Sequence, residues 1–164
     1  MGIIVQKYGG TSLGNAERLL NVAKIIADTL KQNRVIVVVS AMSSYTKAEG
    51  TTSRLLEAGD LAISGGPFFR VLDQVEQSHF EALEDAISDT VIMEEVKEYI
   101  HEELRSLKAF LEAIHVINEI SPRSQDLIIG TGERLSARLL SGVLKNYGID
   151  SAYTDLSQSV DAVS

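Results

Sequence analysis

The sequence predicts an α/β fold, a three-layer α/β/α sandwich in which helices cover both sides of a mostly parallel sheet. Two apolar segments, residues 3–5 and 35–39, are rich in β-branched residues and lack the alternation typical of half-exposed strands. The segment between them has the spacing of an amphipathic helix. Its apolar positions are Leu19, Ala23, Ile26 and Leu30. A strand, a helix and a second strand in this order predict a βαβ unit with parallel strands. The carboxyl ends of such strands share one edge of the sheet, so the Gly9-Gly10 turn and Ser40 are expected to be neighbours.

Helices dominate the segments that follow. Residues 40–53 form a polar loop, and the next helix is predicted to end at the Gly-Gly-Pro of residues 65–67. Residues 68–118 are strongly helical and acidic, and two helices packed as a hairpin, with a bend near residues 87–91, explain this pattern best. The three histidines of the chain are expected at helix edges or on the surface, without a metal. They are His79, His101 and His115.

The last third of the chain is predicted as two helices and a strand. Ser121 and Pro122 have the residue types of a helix cap and first position. This short helix is expected to break at residues 130–132, where two glycines flank a threonine, and Glu133 is expected to open the next helix. Residues 149–156 are then predicted to form a third strand, in which Asp155 has no assignable role.

Composition limits the possible functions. The chain has 164 residues, which suits one domain, and a formal net charge of −8 disfavours binding to nucleic acids or to anionic membranes. There is no cysteine, which excludes disulfides and thiol chemistry. No segment approaches the ~20 apolar residues of a transmembrane helix. We therefore expect a cytoplasmic protein.

Residues 7–12 have the residue types of an anion-binding turn at the end of the first strand. Gly9 and Gly10 are expected to turn with positive φ and to let backbone N–H groups approach a ligand. Lys7 adds a positive charge, and Thr11 and Ser12 add hydroxyls ahead of a helix start. The order of residues is not that of a P-loop, and an ordinary strand-to-helix turn with a surface lysine explains the pattern equally well.

Two further stretches, residues 37–46 and 130–137, can be considered together with residues 7–12. Taken in order and at their spacing, the three resemble the opening Lys-aromatic-Gly-Gly-Thr-Ser motif, the serine- and threonine-bearing loop and the Gly-x-Gly-Glu helix start of aspartate kinases, in the amino acid kinase superfamily. Tyr8 stands where phenylalanine is usual. The resemblance implies an amino acid kinase (carbamate kinase-like) fold, of which residues 1–164 would be the amino-terminal part, without an ACT regulatory domain.

The resemblance also implies a reaction. Aspartate kinases transfer a phosphoryl group from ATP to the side-chain carboxylate of L-aspartate, with Mg²⁺ held mainly by the nucleotide phosphates, as the first step towards lysine, threonine and methionine. Lys7 would be the catalytic residue. The nucleotide would contact Lys7, Tyr8, Gly9, Gly10, Thr11 and Ser12. Aspartate would contact Ser40, Thr46 and Glu133.

The kinase domain of this family is longer than the present chain. The resemblance therefore implies a fragment, and we expect the isolated chain to be inactive and to associate with itself or with the remainder of a kinase chain. Two alternatives stay open. One is half of a sister amino acid kinase acting on another carboxylate, and the other is a non-catalytic module that uses the same fold to pair with another subunit.

Overall fold

A computed structural model describes residues 2–44, 46 and 49–156. The chain begins with strand β1 (Ile3–Tyr8), a 3-10 turn (Gly10–Leu13), helix α1 (Ala16–Leu30) and strand β2 (Arg34–Val39). Four long helices follow: α2 (Thr51–Ser64), α3 (Phe68–Ala86), α4 (Thr90–Ile117) and α5 (Pro122–Asn146). The predicted βαβ unit is confirmed, since β1 and β2 are parallel and pair from Ile3 with Arg34 to Tyr8 with Val39.

Helices cover one face of this small sheet. Val35, Val37 and Val39 point towards the helices and are partly buried against the core. On the opposite face Ile3, Val5, Ile36 and Val38 are 60%, 62%, 53% and 42% exposed. We call these four residues the open face. The expectation that both faces are covered is therefore not met in the described part of the chain, and the three-layer sandwich remains a prediction.

The predicted third strand is wrong. Residues 149–155 have no strand hydrogen bonding, because their side chains are held by helices instead. The Ser151 hydroxyl donates to the Ser141 carbonyl oxygen of α5 at 2.9 Å, and the Tyr153 and Tyr99 hydroxyls lie 2.9 Å apart. An apolar cleft of about 420 Å³ is lined by this segment and by β2.

The helical hairpin is confirmed, with α3 and α4 meeting at residues 87–89. The Asp89 carboxylate caps α4 by accepting from the backbone N–H groups of Val91 and Ile92 at 2.9 and 3.1 Å. α2 ends as expected, with Gly65 in the left-handed region at φ 75°. In the described part of the chain, no helix has both the length and the apolar character needed to cross a membrane.

Helix α5 is unbroken, so the prediction of two helices separated by a break at residues 130–132 is wrong. The Ser121 cap is confirmed, since its hydroxyl accepts from the Ser124 N–H at 3.1 Å. Gly130 and Gly132 lie inside the helix. A helical glycine costs about 1 kcal/mol relative to alanine, and packing of the buried side of α5 outweighs this cost.

His79 is also not where it was predicted. It is fully buried in α3, and its Nδ1–H donates to the Val75 carbonyl oxygen at 2.7 Å. Burial disfavours the charged imidazolium and lowers the pKa of His79 from 6.5 to about 4. His101 and His115 are exposed, as expected.

We expect His79 to make stability depend on pH. Between pH 6.5 and about 4 the unfolded chain binds a proton that the folded chain excludes, so the free energy of unfolding should fall as the pH is lowered through this window. The lowered pKa of His79 corresponds to a total change of about 3 kcal/mol in the free energy of unfolding across this window. Urea unfolding at a series of pH values should show a shallower dependence for His79→Met, whereas the exposed-site control His101→Gln should behave like the wild type. Identical slopes for all three proteins would contradict the assignment.

Candidate active site

The turn after β1 is built differently from the expectation. The chain reverses through a 3-10 turn in which the Ser12 N–H donates to the Gly9 carbonyl oxygen at 3.0 Å. Gly9 has φ −75°, and within the described residues the glycines with positive φ are Gly65 and Gly148. The expectation of positive φ at Gly9 and Gly10 is therefore wrong, because a 3-10 turn does not require it.

Gly10 is needed for close approach. A Cβ atom at this position would lie 2.1 Å from the Ala41 carbonyl oxygen, whereas a Cβ at Gly9 would meet nothing within 4 Å. Two hydrogen bonds join the same segments: the Ser40 N–H donates to the Tyr8 carbonyl at 3.1 Å, and the Ser43 N–H donates to the Gly10 carbonyl at 3.0 Å. The predicted contact between the glycine turn and the loop after β2 is confirmed.

The third stretch, residues 130–137 of α5, also contacts Ala41 in the loop after β2. A Cβ atom at Gly132 would lie 2.9 Å from the Ala41 Cβ and 3.0 Å from Cγ2 of Thr51. Ala41 therefore contacts both the glycine turn and α5, and all three stretches meet around it. Glu133 is the next residue of α5 and is exposed. Because it lies inside the helix, a favourable interaction with a helix N-terminus does not explain it.

Lys7 and Tyr8 point to opposite faces of the sheet, as neighbours in a strand do. Lys7 pairs in register with Val38 and is exposed on the side of the open face. Tyr8 packs against the core, where its hydroxyl donates to the Gln6 Oε1 at 3.0 Å. Burial raises the pKa of the Tyr8 hydroxyl. The positive charge is thus on the side of the open face, and the aromatic ring is on the side of the helices.

Thr11 and Ser12 are exposed on the turn and line a cleft of about 290 Å³. The same cleft is lined by Arg18 of α1. The Nη1 of Arg18 donates to the Thr11 carbonyl oxygen at 2.8 Å. Sequence reasoning missed Arg18, because a contact across seven residues from a helix to the preceding turn has no periodic signal.

The loop after β2 contains the two other predicted substrate contacts. Ser40 is partly buried directly at the end of β2, and Thr46 is exposed. The Ser44 hydroxyl donates to the Thr46 carbonyl oxygen at 2.8 Å, and the Thr51 N–H donates to the Met42 carbonyl at 3.0 Å. Residues 45, 47 and 48 lie outside the described residues.

The neighbourhood of Glu133 contains an ion pair that the sequence did not indicate. The Nε of Arg134 lies 2.9 Å from the Glu103 carboxylate of α4, and its Nη2 donates to the Thr131 hydroxyl at 3.0 Å. This pair fixes the helical turn that carries Glu133 against α4. In the parts of the chain that the structure describes, no group of three or more His, Asp or Glu side chains could hold a metal ion.

The two glycines of the turn offer a matched pair of variants. Gly10→Ala would force its Cβ into the Ala41 carbonyl oxygen, and we expect a loss of about 1–3 kcal/mol in the free energy of unfolding. Gly9→Ala has open space and an ordinary φ, so its stability should match that of the wild type. Thermal and urea unfolding measure both. Equal stability of the two variants would contradict the close approach of Gly10 to Ala41.

The comparisons with known proteins decide the family. The sequence model of the Amino acid kinase family matches residues 2–162. This chain belongs to the amino acid kinase family. The aspartokinase of Schizosaccharomyces pombe is 42% identical over 98% of this chain and 31% of its own length. The aspartokinase of Saccharomyces cerevisiae is 36% identical over 96% of this chain and 30% of its own length. The resemblance predicted from three stretches is confirmed over nearly the whole chain.

Solved structures agree with this assignment. The chain is similar to Escherichia coli aspartokinase III in complex with lysine and aspartate, with a TM-score of 0.73 and 26% identity over 90% of this chain and 30% of that chain. A second structure of that enzyme, in complex with aspartate and ADP, gives a TM-score of 0.71. The fold is therefore the amino acid kinase fold. The chain spans about 30% of the length of the relatives it matches.

Proposed function

We propose that this chain is the amino-terminal part of the kinase domain of an aspartate kinase, which transfers the γ-phosphoryl group of ATP to the side-chain carboxylate of L-aspartate. The observation that carries this proposal is the meeting of the three stretches around Ala41. The names of the relatives support the activity, and the complexes of the E. coli enzyme with aspartate and ADP support the two substrates. The protein would be cytoplasmic.

The reaction needs positioning and positive charge rather than a covalent enzyme intermediate. A carboxylate oxygen of aspartate attacks the γ-phosphorus, the bond to the bridging oxygen of the β-phosphate breaks, and ADP and 4-phospho-aspartate are formed. Both reactants are anions, so a fixed cation lowers the barrier. Lys7 is proposed to supply it. Lys7 is exposed and is the penultimate residue of β1, two residues before Gly9.

The nucleotide phosphates are proposed to lie against the turn formed by residues 9–12. Gly9 presents open space on its Cα, and the exposed hydroxyls of Thr11 and Ser12 can donate to phosphate oxygens. Mg²⁺ is proposed to be held mainly by the phosphates, since the donors of this turn are lysine, hydroxyl and N–H groups rather than carboxylates.

Aspartate is proposed to bind where the loop after β2 faces α5. The Ser40 and Thr46 hydroxyls would contact the substrate, and Glu133 would pair with its α-ammonium group. The contact between Gly132 and Ala41 supports this, because it places the backbone of Glu133 next to the loop that begins at Ser40. This pairing with the substrate is the role that we propose for the exposed Glu133 carboxylate.

The test is a substrate panel on the natural protein that carries this chain. ADP release and hydroxylamine trapping of an acyl phosphate should both require L-aspartate, and L-glutamate and N-acetylated aspartate should give only background. Turnover with another carboxylate but not with aspartate would instead support a sister amino acid kinase. Background rates with every substrate would overturn catalysis and favour a pairing module, for which the open face provides an apolar surface.

A further inference from the structure

Three successive carbonyl groups of the glycine turn are each held by a different donor. The Gly9 carbonyl accepts from the Ser12 N–H at 3.0 Å, and the Gly10 carbonyl accepts from the Ser43 N–H at 3.0 Å. The Thr11 carbonyl accepts from the Arg18 guanidinium at 2.8 Å. Two of these donors are backbone groups, and the third is a charged side chain, which makes the stronger kind of hydrogen bond.

Holding a carbonyl also orients the N–H group across the same peptide bond. The atoms of a trans peptide lie in one plane, with C=O and N–H pointing in opposite directions. The Thr11 carbonyl and the Ser12 N–H share such a plane, so Arg18 orients the N–H that closes the turn onto Gly9. The other two carbonyls orient the N–H groups of Gly10 and Thr11 in the same way. All three planes belong to the proposed phosphate site.

Arg18 is placed to hold the turn rather than to extend into solvent. It lies in the first turn of α1, where its own backbone N–H donates to the Asn15 side chain at 3.0 Å, so the base of the side chain is fixed. Its Nη1 would lie 3.0 Å from a Cβ atom at Gly14, which shows how closely the guanidinium covers the turn. The side chain is partly buried and lines the cleft beside Thr11 and Ser12.

We infer that Arg18 is a positioning residue. By holding the Thr11 carbonyl it keeps the Ser12 N–H on the Gly9 carbonyl, and the turn closed in this way presents the Gly10 and Thr11 N–H groups to the nucleotide phosphates. This inference rests on the proposed function of the turn. Without the guanidinium, only the hydrogen bond from the Ser12 N–H to the Gly9 carbonyl holds the third peptide plane. A turn of less fixed shape misaligns the bound phosphates for transfer, and this should lower the rate more than it lowers the stability of the fold.

The test compares Arg18→Ala and Arg18→Lys with the exposed-site control Lys24→Ala in the natural protein. We expect Arg18→Ala to lower kcat/KM for ATP by about tenfold to a hundredfold, with the KM for aspartate unchanged. Arg18→Lys should recover part of the rate, because an ammonium can still donate one hydrogen bond to the carbonyl. Added guanidinium ion at millimolar concentration should partly restore Arg18→Ala and should not affect Lys24→Ala.

Hydrogen exchange separates this inference from the proposed function. The Ser12 amide should exchange faster in Arg18→Ala than in the wild type, while amides of β2 keep their protection. If the wild type proves to have no kinase activity, the proposed function and the positioning role fall together, although faster Ser12 exchange would still show the hydrogen bond. If the wild type is active and Arg18→Ala keeps the full kcat/KM for ATP, the inference alone is overturned, whatever the exchange rate.

Discussion

Lys7→Met in the natural protein is expected to lower kcat by about 10²–10³, the usual cost of removing one preorganised electrostatic donor. Lys7 is exposed beside the glycine turn, and it contributes the full positive charge of that motif. The transferred phosphoryl group carries negative charge in the transition state, so the loss of the Lys7 charge should lower kcat. Aspartate binding should change little. Steady-state kinetics with both substrates varied separates the two effects.

Lys24→Met provides the matched control for Lys7→Met. Lys24 is an exposed lysine of α1, so its replacement removes the same charge from elsewhere on the surface. We expect wild-type kinetics from it. A Lys7→Met protein that kept its turnover but lost affinity for aspartate would place Lys7 with the amino-acid substrate rather than with the phosphates.

Glu133→Gln is expected to weaken aspartate binding by roughly 2–3 kcal/mol, the scale of a charge-assisted hydrogen bond. This corresponds to about a 30- to 150-fold rise in the apparent dissociation constant. The substitution keeps the shape of the side chain and removes the charge that would pair with the α-ammonium group. The affinity for ATP should stay close to that of the wild type. Isothermal titration with aspartate in the presence of a non-hydrolysable nucleotide measures the change directly.

Glu112→Gln is the control for Glu133→Gln, because Glu112 is also an exposed helical glutamate and lies on α4, outside the three stretches. Its substitution should leave aspartate binding unchanged. If Glu133→Gln binds aspartate as tightly as this control does, then Glu133 is a surface carboxylate and the substrate ammonium is bound elsewhere.

Local pattern was sufficient for most of the helices. α1, α2 and the α3–α4 hairpin follow from apolar spacing and from local end signals such as Gly65, which act within a few residues of themselves. The contact between the glycine turn and the loop after β2 also followed from sequence, because parallel strands end at the same edge of a sheet. These features depend on interactions between residues close in sequence and on the geometry of adjacent parallel strands.

The errors arise where distant contacts outweigh local preference. Gly132 suggests a helix break, yet α5 continues because its glycine fits against Ala41. Residues 149–155 have the composition of a strand. Hydrogen bonds hold them against the helices instead, from Ser151 to Ser141, 10 residues away, and between Tyr153 and Tyr99, 54 residues apart. His79 was recognisable in principle, since it shares the apolar stripe of α3 with Val75. The position of His79 on that stripe indicates its burial better than the polarity of its side chain does.

The open face has a consequence for the strength of the Lys7 charge. Lys7 lies in water next to Val38, where its attraction to an anion 4 Å away is about 1 kcal/mol. Any surface that covered Val5 and Ile36 would also remove water from around the ammonium, and at the dielectric constant of a protein surface the same attraction becomes about 4 kcal/mol. Covering the sheet would therefore strengthen the charge that we propose for catalysis without moving a single atom of Lys7.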